Sequence, residues 1–298
     1  MEIYMTTITR RAPAKVNLYL EISSRRPDGY HNIESVMQTV TLFDELTFEK
    51  SEAVGQNITL TCDGGELPCD GTNLCHRAAK LFFEAAGVDN YGLSMHIDKH
   101  IPISAGLGGG SSDAAATLTA LNELYSAGFS KSELCAIGAR LGADIPFCIM
   151  QGISVTRGIG DVFSPCAHLP DCHIVIACHG EGVSTPWAYK KLDEMYDFDS
   201  RNVCADDFAA LIGGGELKVI TAGMTNIFES AVLPERAAAR EIRERLSKAG
   251  ALRAMMSGSG PSVVGIFDSE NTARSAQRML LDKGITAHLC KPYYPDEA

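Results

Sequence analysis

The 298-residue sequence predicts an α+β protein. Three observations carry that expectation. Residues 5–62 read as short alternating or β-branched runs broken by Asp, Gly and Pro turns. The middle of the chain alternates helical periodicity with single strands. The tail runs strand, strand, helix, strand, the order of a split, ferredoxin-like layer.

Strands are expected at 16–22, 33–42, 45–48 and 58–61. Residues 73–86 form a helical pattern closed by Gly87, an ordinary residue after a helix C-terminus. A strand at 93–97 then delivers the chain to residues 102–112. A helix over 111–127 follows, with Ala114, Ala115, Leu118, Leu121, Leu124 and Tyr125 on one face and Ser111, Ser112 or Asp113 as its cap. Ser130 caps a helix over 131–141, which Gly142 ends. Beyond Gly152, strands at 153–157 and 173–178 lead to helices near 186–195, 204–212 and 234–249. Strands at 252–256 and 262–267 flank a second glycine turn at 257–261, before a helix at 270–282 and a strand at 286–290. No internal repeat, low-complexity tract or charge block interrupts this order, so a domain boundary near 150–170 is soft.

Hydrophobic residues make up 45% and charged residues 21% of the chain, ordinary for a globular protein. A formal net charge of −11 argues against a nucleic-acid or anionic-membrane surface. The ten cysteines (62, 69, 75, 135, 148, 166, 172, 178, 204 and 290) form no Cys-x-x-Cys pair, and most sit in apolar runs. Reduced, buried thiols are the expectation, without a disulfide framework. His96 and His100 are four apart but in a strand pattern, so helical metal-ligand spacing does not apply and no metal site is predicted. No run reaches the 18 or so apolar residues of a membrane span. Residues 1–11 lack the apolar core of a signal peptide, which predicts a cytoplasmic protein.

Residues 102–112 read Pro102-Ile103-Ser104-Ala105-Gly106-Leu107-Gly108-Gly109-Gly110-Ser111-Ser112. Four glycines in five positions allow left-handed backbone and close approach to a ligand. Exposed N–H groups at a helix start favour an anion. The P-loop pattern fails, because Ser-Ser-Asp follows the last glycine instead of Lys-Ser/Thr. The dinucleotide fingerprint fails as well, because Ser111 stands where its third glycine belongs. In so acidic a chain, polyphosphate must be held by local amides, a helix terminus and a few placed cations.

Three other clusters carry chemistry. Lys15 and Asn17 alternate with Val16 and Leu18, so they share one strand face. Asp144 lies in Leu141-Gly142-Ala143-Asp144-Ile145-Pro146-Phe147, where desolvation is costly without a partner. Pro27-Asp28-Gly29 is a turn signal that sets Tyr30 beside His31. Each has a plain alternative: an exposed strand lysine, a turn aspartate bonding its own backbone, rim residues. Together they match the needs of phosphoryl transfer, which are phosphate positioning, a cation at the developing charge and a carboxylate at the attacking hydroxyl.

The glycine loop, Ala14-Lys15-Val16-Asn17, Asp28-Gly29-Tyr30-His31, the segment 141–147 and Ser257-Gly258-Ser259-Gly260-Pro261 resemble the GHMP small-molecule kinases. The matching segments are spread from residue 12 to about 265. Within that family they are similar to the branch whose acceptor is a cytidyl-diphospho sugar alcohol of non-mevalonate isoprenoid synthesis. The resemblance implies an N-terminal ribosomal-protein-like βαβ domain over 1–165 and a C-terminal ferredoxin-like domain over 166–298, with the active site in a cleft between them. It implies ATP held along 102–112, with Mg²⁺ carried mainly by the nucleotide. Asp144 would be the general base for the 2-hydroxyl of the acceptor, and Lys15 its electrostatic partner. Asn17, Tyr30, His31, Thr185 and Tyr189 would bind the acceptor, the cytosine lying between Tyr30 and Tyr189, with Trp187 as the alternative wall. The turn at 257–260 would close over the substrate side.

Two other readings compete. A homoserine- or mevalonate-type kinase of the same family has no need of the base-reading residues at 28–31. A nucleotide-sensing protein without chemistry has no need of both Lys15 and Asp144.

Overall fold

The computed structural model describes residues 6–51, 55–63, 67–89, 91–180, 182–198 and 201–295. Positions 1–5 of the expected leaderless start, and 52–54 of the strand-rich stretch, lie outside the described residues. Two compact units interleave along the chain, a partition different in kind from a cut at 165 by sequence order.

The first unit gathers the chain through Ala14, residues 42–103 and residues 108–150. It holds the start of strand β1 (Thr6–Arg25) and the end of β2 (His31–Ser51), followed by β3 (Gln56–Asp63), α1 (Leu74–Ala86) and β4 (Tyr91–Asp98). β3 pairs parallel with β4 across the α1 crossover, and β4 runs antiparallel to β2 from Glu45↔Asp98 to Ser51↔Gly92. A parallel pair needs such a crossover, so this is the βαβ arrangement. Asn73 caps α1 through its side chain, and left-handed Gly87 closes it. Helices α2 (Gly109–Leu124), α3 (Lys131–Ala139) and α4 (Ile145–Met150) complete the unit. Phe83 stacks on Tyr91 at 3.7 Å and meets Tyr125 edge-on at 4.9 Å, locking α1 to β4 and to the end of α2.

The sequence missed α4 and misread the end of α3. That helix stops at Ala139 with Arg140 as its cap, and Gly142 does not adopt a left-handed φ. α4 packs closely on this helix at Gly138, where a Cβ would come within 2.6 Å of Ile145 Cγ2. Pro146 opens α4, where its missing N–H is no loss.

The second unit contains the rest of β1 and β2 (residues 15–41), residues 104–107 and everything from Gln151 onward. β5 (Ile153–Arg157) pairs antiparallel with β2 and carries β6 (Val162–Pro165), while the two-residue β8 (Thr225–Asn226) pairs parallel with β1. β6, at four residues, and β8, at two, are too short to show a strand pattern in the sequence. β7 (His173–Cys178), β9 (Arg253–Met256), β10 (Val263–Phe267) and β11 (Thr286–Cys290) form an antiparallel sheet in the order β11-β7-β10-β9. That is the split layer the tail predicts. Helices α5 (Thr185–Met195), α6 (Ala205–Gly213), α7 (Leu217–Gly223), α8 (Phe228–Val232), α9 (Ala237–Lys248) and α10 (Glu270–Leu281) belong to the same unit. Its core joins Leu20 and Ile22 of β1, Ala188 and Leu192 of α5, Phe228 of α8 and Phe267 of β10.

Candidate active site

The glycine loop begins where β4 ends. Ser104, Gly106 and Gly108 take positive φ values of 53°, 78° and 69°. Gly108 is the N-cap of α2 and, having no side chain, makes no side-chain cap hydrogen bond to the first N–H groups of the helix. The caps predicted at Ser111, Ser112 or Asp113 are therefore wrong: all three lie inside the helix. Ser112 Oγ instead donates to the Pro13 carbonyl at 2.7 Å. Gly109 and Gly110 are helical, so their glycine requirement is room. A Cβ at Gly109 would stand 2.9 Å from Lys99 Nζ and 3.0 Å from Ile101 Cγ2.

Residues 104–107 are seated in the second unit. The Leu107 carbonyl accepts from the Lys15 amide at 2.9 Å, and the Ala105 carbonyl from the Ser262 amide at 3.2 Å. Ser257 Oγ donates to the Gly106 carbonyl at 3.2 Å. A Cβ at Gly106 would collide with the Ser257 carbonyl oxygen. The late glycine turn thus packs on the glycine loop itself. Ser259 Oγ also lies 2.8 Å from Thr185 Oγ1, which ties the turn to the start of α5.

Lys15 and Asn17 are 5% and 3% exposed, and their neighbours Val16 and Leu18 are buried too. β1 is covered on both faces here, so the exposed-lysine alternative fails. Lys15 Nζ donates to Asn17 Oδ1 at 2.9 Å, Asn17 Nδ2 donates to Ser35 Oγ at 2.9 Å, and Ser35 Oγ donates to the Tyr19 carbonyl at 2.7 Å. A buried ammonium requires such partners. Both polar ends of the Asn17 amide are engaged in holding it. Asp144, in the first unit, is partly buried at the start of α4, and its carbonyl accepts from the Cys148 amide at 3.1 Å.

In the second unit the turn before β2 leaves Tyr30 62% exposed and buries His31. His31 stacks on Tyr189 at 4.8 Å with an interplanar angle of 18°, and Phe198 meets it edge-on at 5.5 Å. Trp187 lies under the Arg236 guanidinium instead, 5.6 Å from ring centre to carbon. The structure thus brings Tyr189 to His31, and Trp187 elsewhere. Asp193, one turn further along α5, was missed by sequence reasoning. Its Oδ1 lies 2.7 Å from His31 Nε2, although 162 residues separate the two.

A buried ion cluster in the first unit was also missed. Lys99, at the end of β4, bridges Asp44 of β2 and Asp113 of α2, the second at 2.8 Å. Asp44 Oδ1 accepts from the amides of His100 and Ile101 at 2.7 and 2.8 Å. The cluster therefore braces both the entry to the glycine loop and the helix that leaves it. Burial pushes the Asp113 carboxyl up to about 7, and neighbouring Asp44 adds to the rise against the opposing pull of Lys99. Asp113 follows a run of glycines and serines, so in sequence it reads only as a cap. Among the described residues, no group of three or more His, Cys, Asp or Glu is placed to hold a metal ion. No helix among them is long and apolar enough to cross a membrane.

Known proteins share this organisation. Residues 73–152 match the GHMP kinases N terminal domain and residues 210–286 the GHMP kinases C terminal domain. The 4-diphosphocytidyl-2-C-methyl-D-erythritol kinase of Alkaliphilus metalliredigens is 36% identical over 289 residues, spanning 97% of this chain and 98% of that protein. A crystal structure of 4-(cytidine 5'-diphospho)-2C-methyl-D-erythritol kinase superposes with a TM-score of 0.79 at 32% identity, covering 96% of this chain and all of that one. Mevalonate kinase of L. major, solved with R-mevalonate, shares the fold with a TM-score of 0.77 at only 19% identity, over 98% of each chain. Identity sustained from end to end distinguishes the first two from the fold likeness of the third, and the chain belongs to the 4-diphosphocytidyl-2-C-methyl-D-erythritol kinases within the GHMP kinases.

Proposed function

We propose that this kinase transfers the γ-phosphoryl group of ATP to the 2-hydroxyl of 4-diphosphocytidyl-2-C-methyl-D-erythritol, a cytoplasmic step in the supply of isoprenoid precursors. The observation that carries the reading is the uncapped, glycine-built start of α2, whose amides are left for an anion in a chain of net charge −11. Residues 102–112 cradle the triphosphate. Asp144 accepts the proton of the acceptor hydroxyl as its oxygen bonds to the γ-phosphorus, and ADP leaves with the bridging oxygen. Lys15, oriented by Asn17, supplies positive charge to the transferring group.

Tyr30 and Tyr189 enclose the cytosine, His31 hydrogen-bonds to it, and Thr185 binds the acceptor from the start of α5. Mg²⁺ would be carried mainly by the nucleotide, where it would neutralise phosphate charge. The test is a coupled ADP-release assay with the cytidyl-diphospho acceptor, homoserine and mevalonate. Turnover is expected with the first alone. Faster turnover of either of the others would overturn the assignment.

A further inference from the structure

We propose that Asp193 is a positioning residue which fixes the tautomer of His31 and thereby sets the choice of cytosine over uracil. The proposal rests on the reading above that His31 contacts the base, and goes beyond it. An ionised carboxylate only accepts hydrogen bonds, so the 2.7 Å contact between Asp193 Oδ1 and His31 Nε2 makes Nε2 the donor. In the neutral imidazole the remaining nitrogen, Nδ1, then carries a lone pair. It is the one ring nitrogen left to meet a ligand. Cytosine offers an exocyclic amino group to such an acceptor, whereas uracil presents a carbonyl oxygen at that position and is repelled.

The surroundings hold this arrangement in place. His31 is 6% exposed and pinned between the face of Tyr189 and the edge of Phe198, so the ring cannot turn freely to exchange its nitrogens. Asp193 is itself steadied from the other side, with Oδ2 3.8 Å from Arg25 Nη2 at the end of β1. Tyr189 and Asp193 are four residues apart on α5 and so share one helix face. The opposite commitment comes from Ala188 and Leu192, which are fully buried in the core. One rigid helix therefore delivers both the ring that stacks on His31 and the carboxylate that assigns its proton. A site built to hydrogen-bond one group rejects an analogue that cannot answer it, because a buried polar atom is left unpaired.

The experiment compares kcat/KM for the cytidyl-diphospho acceptor and its uridyl-diphospho analogue in the wild type, Asp193→Asn, Asp193→Glu and His31→Ala. Asparagine can donate as well as accept, so it frees the imidazole to protonate at Nδ1. Asp193→Asn is expected to lower the cytidyl-to-uridyl ratio roughly tenfold, the size of one hydrogen bond. Its acceptor KM should rise more than its kcat falls, with the KM for ATP held. Asp193→Glu should recover part of the ratio. An unchanged ratio in Asp193→Asn, with a raised acceptor KM in His31→Ala, would overturn the role of Asp193 alone. An unchanged acceptor KM in His31→Ala would overturn the base-contact reading and this proposal together. Nitrogen-15 shifts of His31 in the wild-type enzyme give a readout free of any folding defect: a neutral ring with its proton on Nε2 supports the proposal, and a proton on Nδ1, in a neutral or a charged ring, overturns it.

Discussion

Lys15 illustrates what a single residue costs and does. Its ammonium is buried on a strand with both faces covered, and Asn17 and Ser35 hold it in one geometry. Side chains so constrained serve chemistry better than a flexible surface lysine would. Asp144→Asn is expected to keep ATP affinity while kcat falls by ~10²–10⁴, the usual range for a lost general base; nucleotide titration and steady-state assay check the two parts. Unchanged turnover would remove Asp144 from the mechanism. Tyr30→Ala and His31→Ala should raise the KM of the cytidyl acceptor and leave that of ATP nearly intact. Equal damage to both ligands would mean that this pocket takes a different ligand. Period-two alternation made the shared face of Lys15 and Asn17 legible in the sequence. The burial of that face was not, because it depends on elements distant in the chain.

At the scale of elements, the glycine loop has two kinds of glycine. Gly106 serves a left-handed bend pressed on the 257–262 turn, and Gly109 makes room for Lys99. Gly106→Ala combines strain at φ 78° with a collision at the Ser257 carbonyl. It is expected to lower the unfolding temperature and raise the KM for ATP together, as thermal unfolding and kinetics on one preparation would reveal. The brace below the loop predicts a pH effect. Asp113 titrates at about 7 in the folded chain, far above an unfolded aspartate, so folding favours its protonated form. That contribution is complete below the unfolded aspartate pKa and is lost as pH rises through 7. The unfolding temperature should fall as pH rises from about 4 to about 7 and level off above that, and Asp113→Asn should flatten that fall. A wild-type curve and a variant curve that run parallel would refute the link.

Across the whole molecule, the ten cysteines stand as thiols in very different settings. Burial pushes Cys172 and Cys290 up to about 12 and Cys75 upward as well, whereas Cys69 is exposed. Because the thiolate is the reactive form, a thiol reagent at pH 8 should label Cys69 readily. Cys75, Cys172 and Cys290 should react only after denaturation, as peptide mass spectrometry would show; rapid native labelling of those three would contradict their burial. The sequence by itself determined the α+β class, the split layer of the tail, the glycine loop and the kinase family, because periodicity, turn chemistry and contiguous motifs are local. Only the tertiary structure decided that Asp193 faces His31, that Lys99 bridges Asp44 and Asp113, and that Tyr189 rather than Trp187 lies against His31. Those pairings join residues far apart in the chain, and a buried charge or ring reveals its partner only when packing brings the two within hydrogen-bonding or stacking distance.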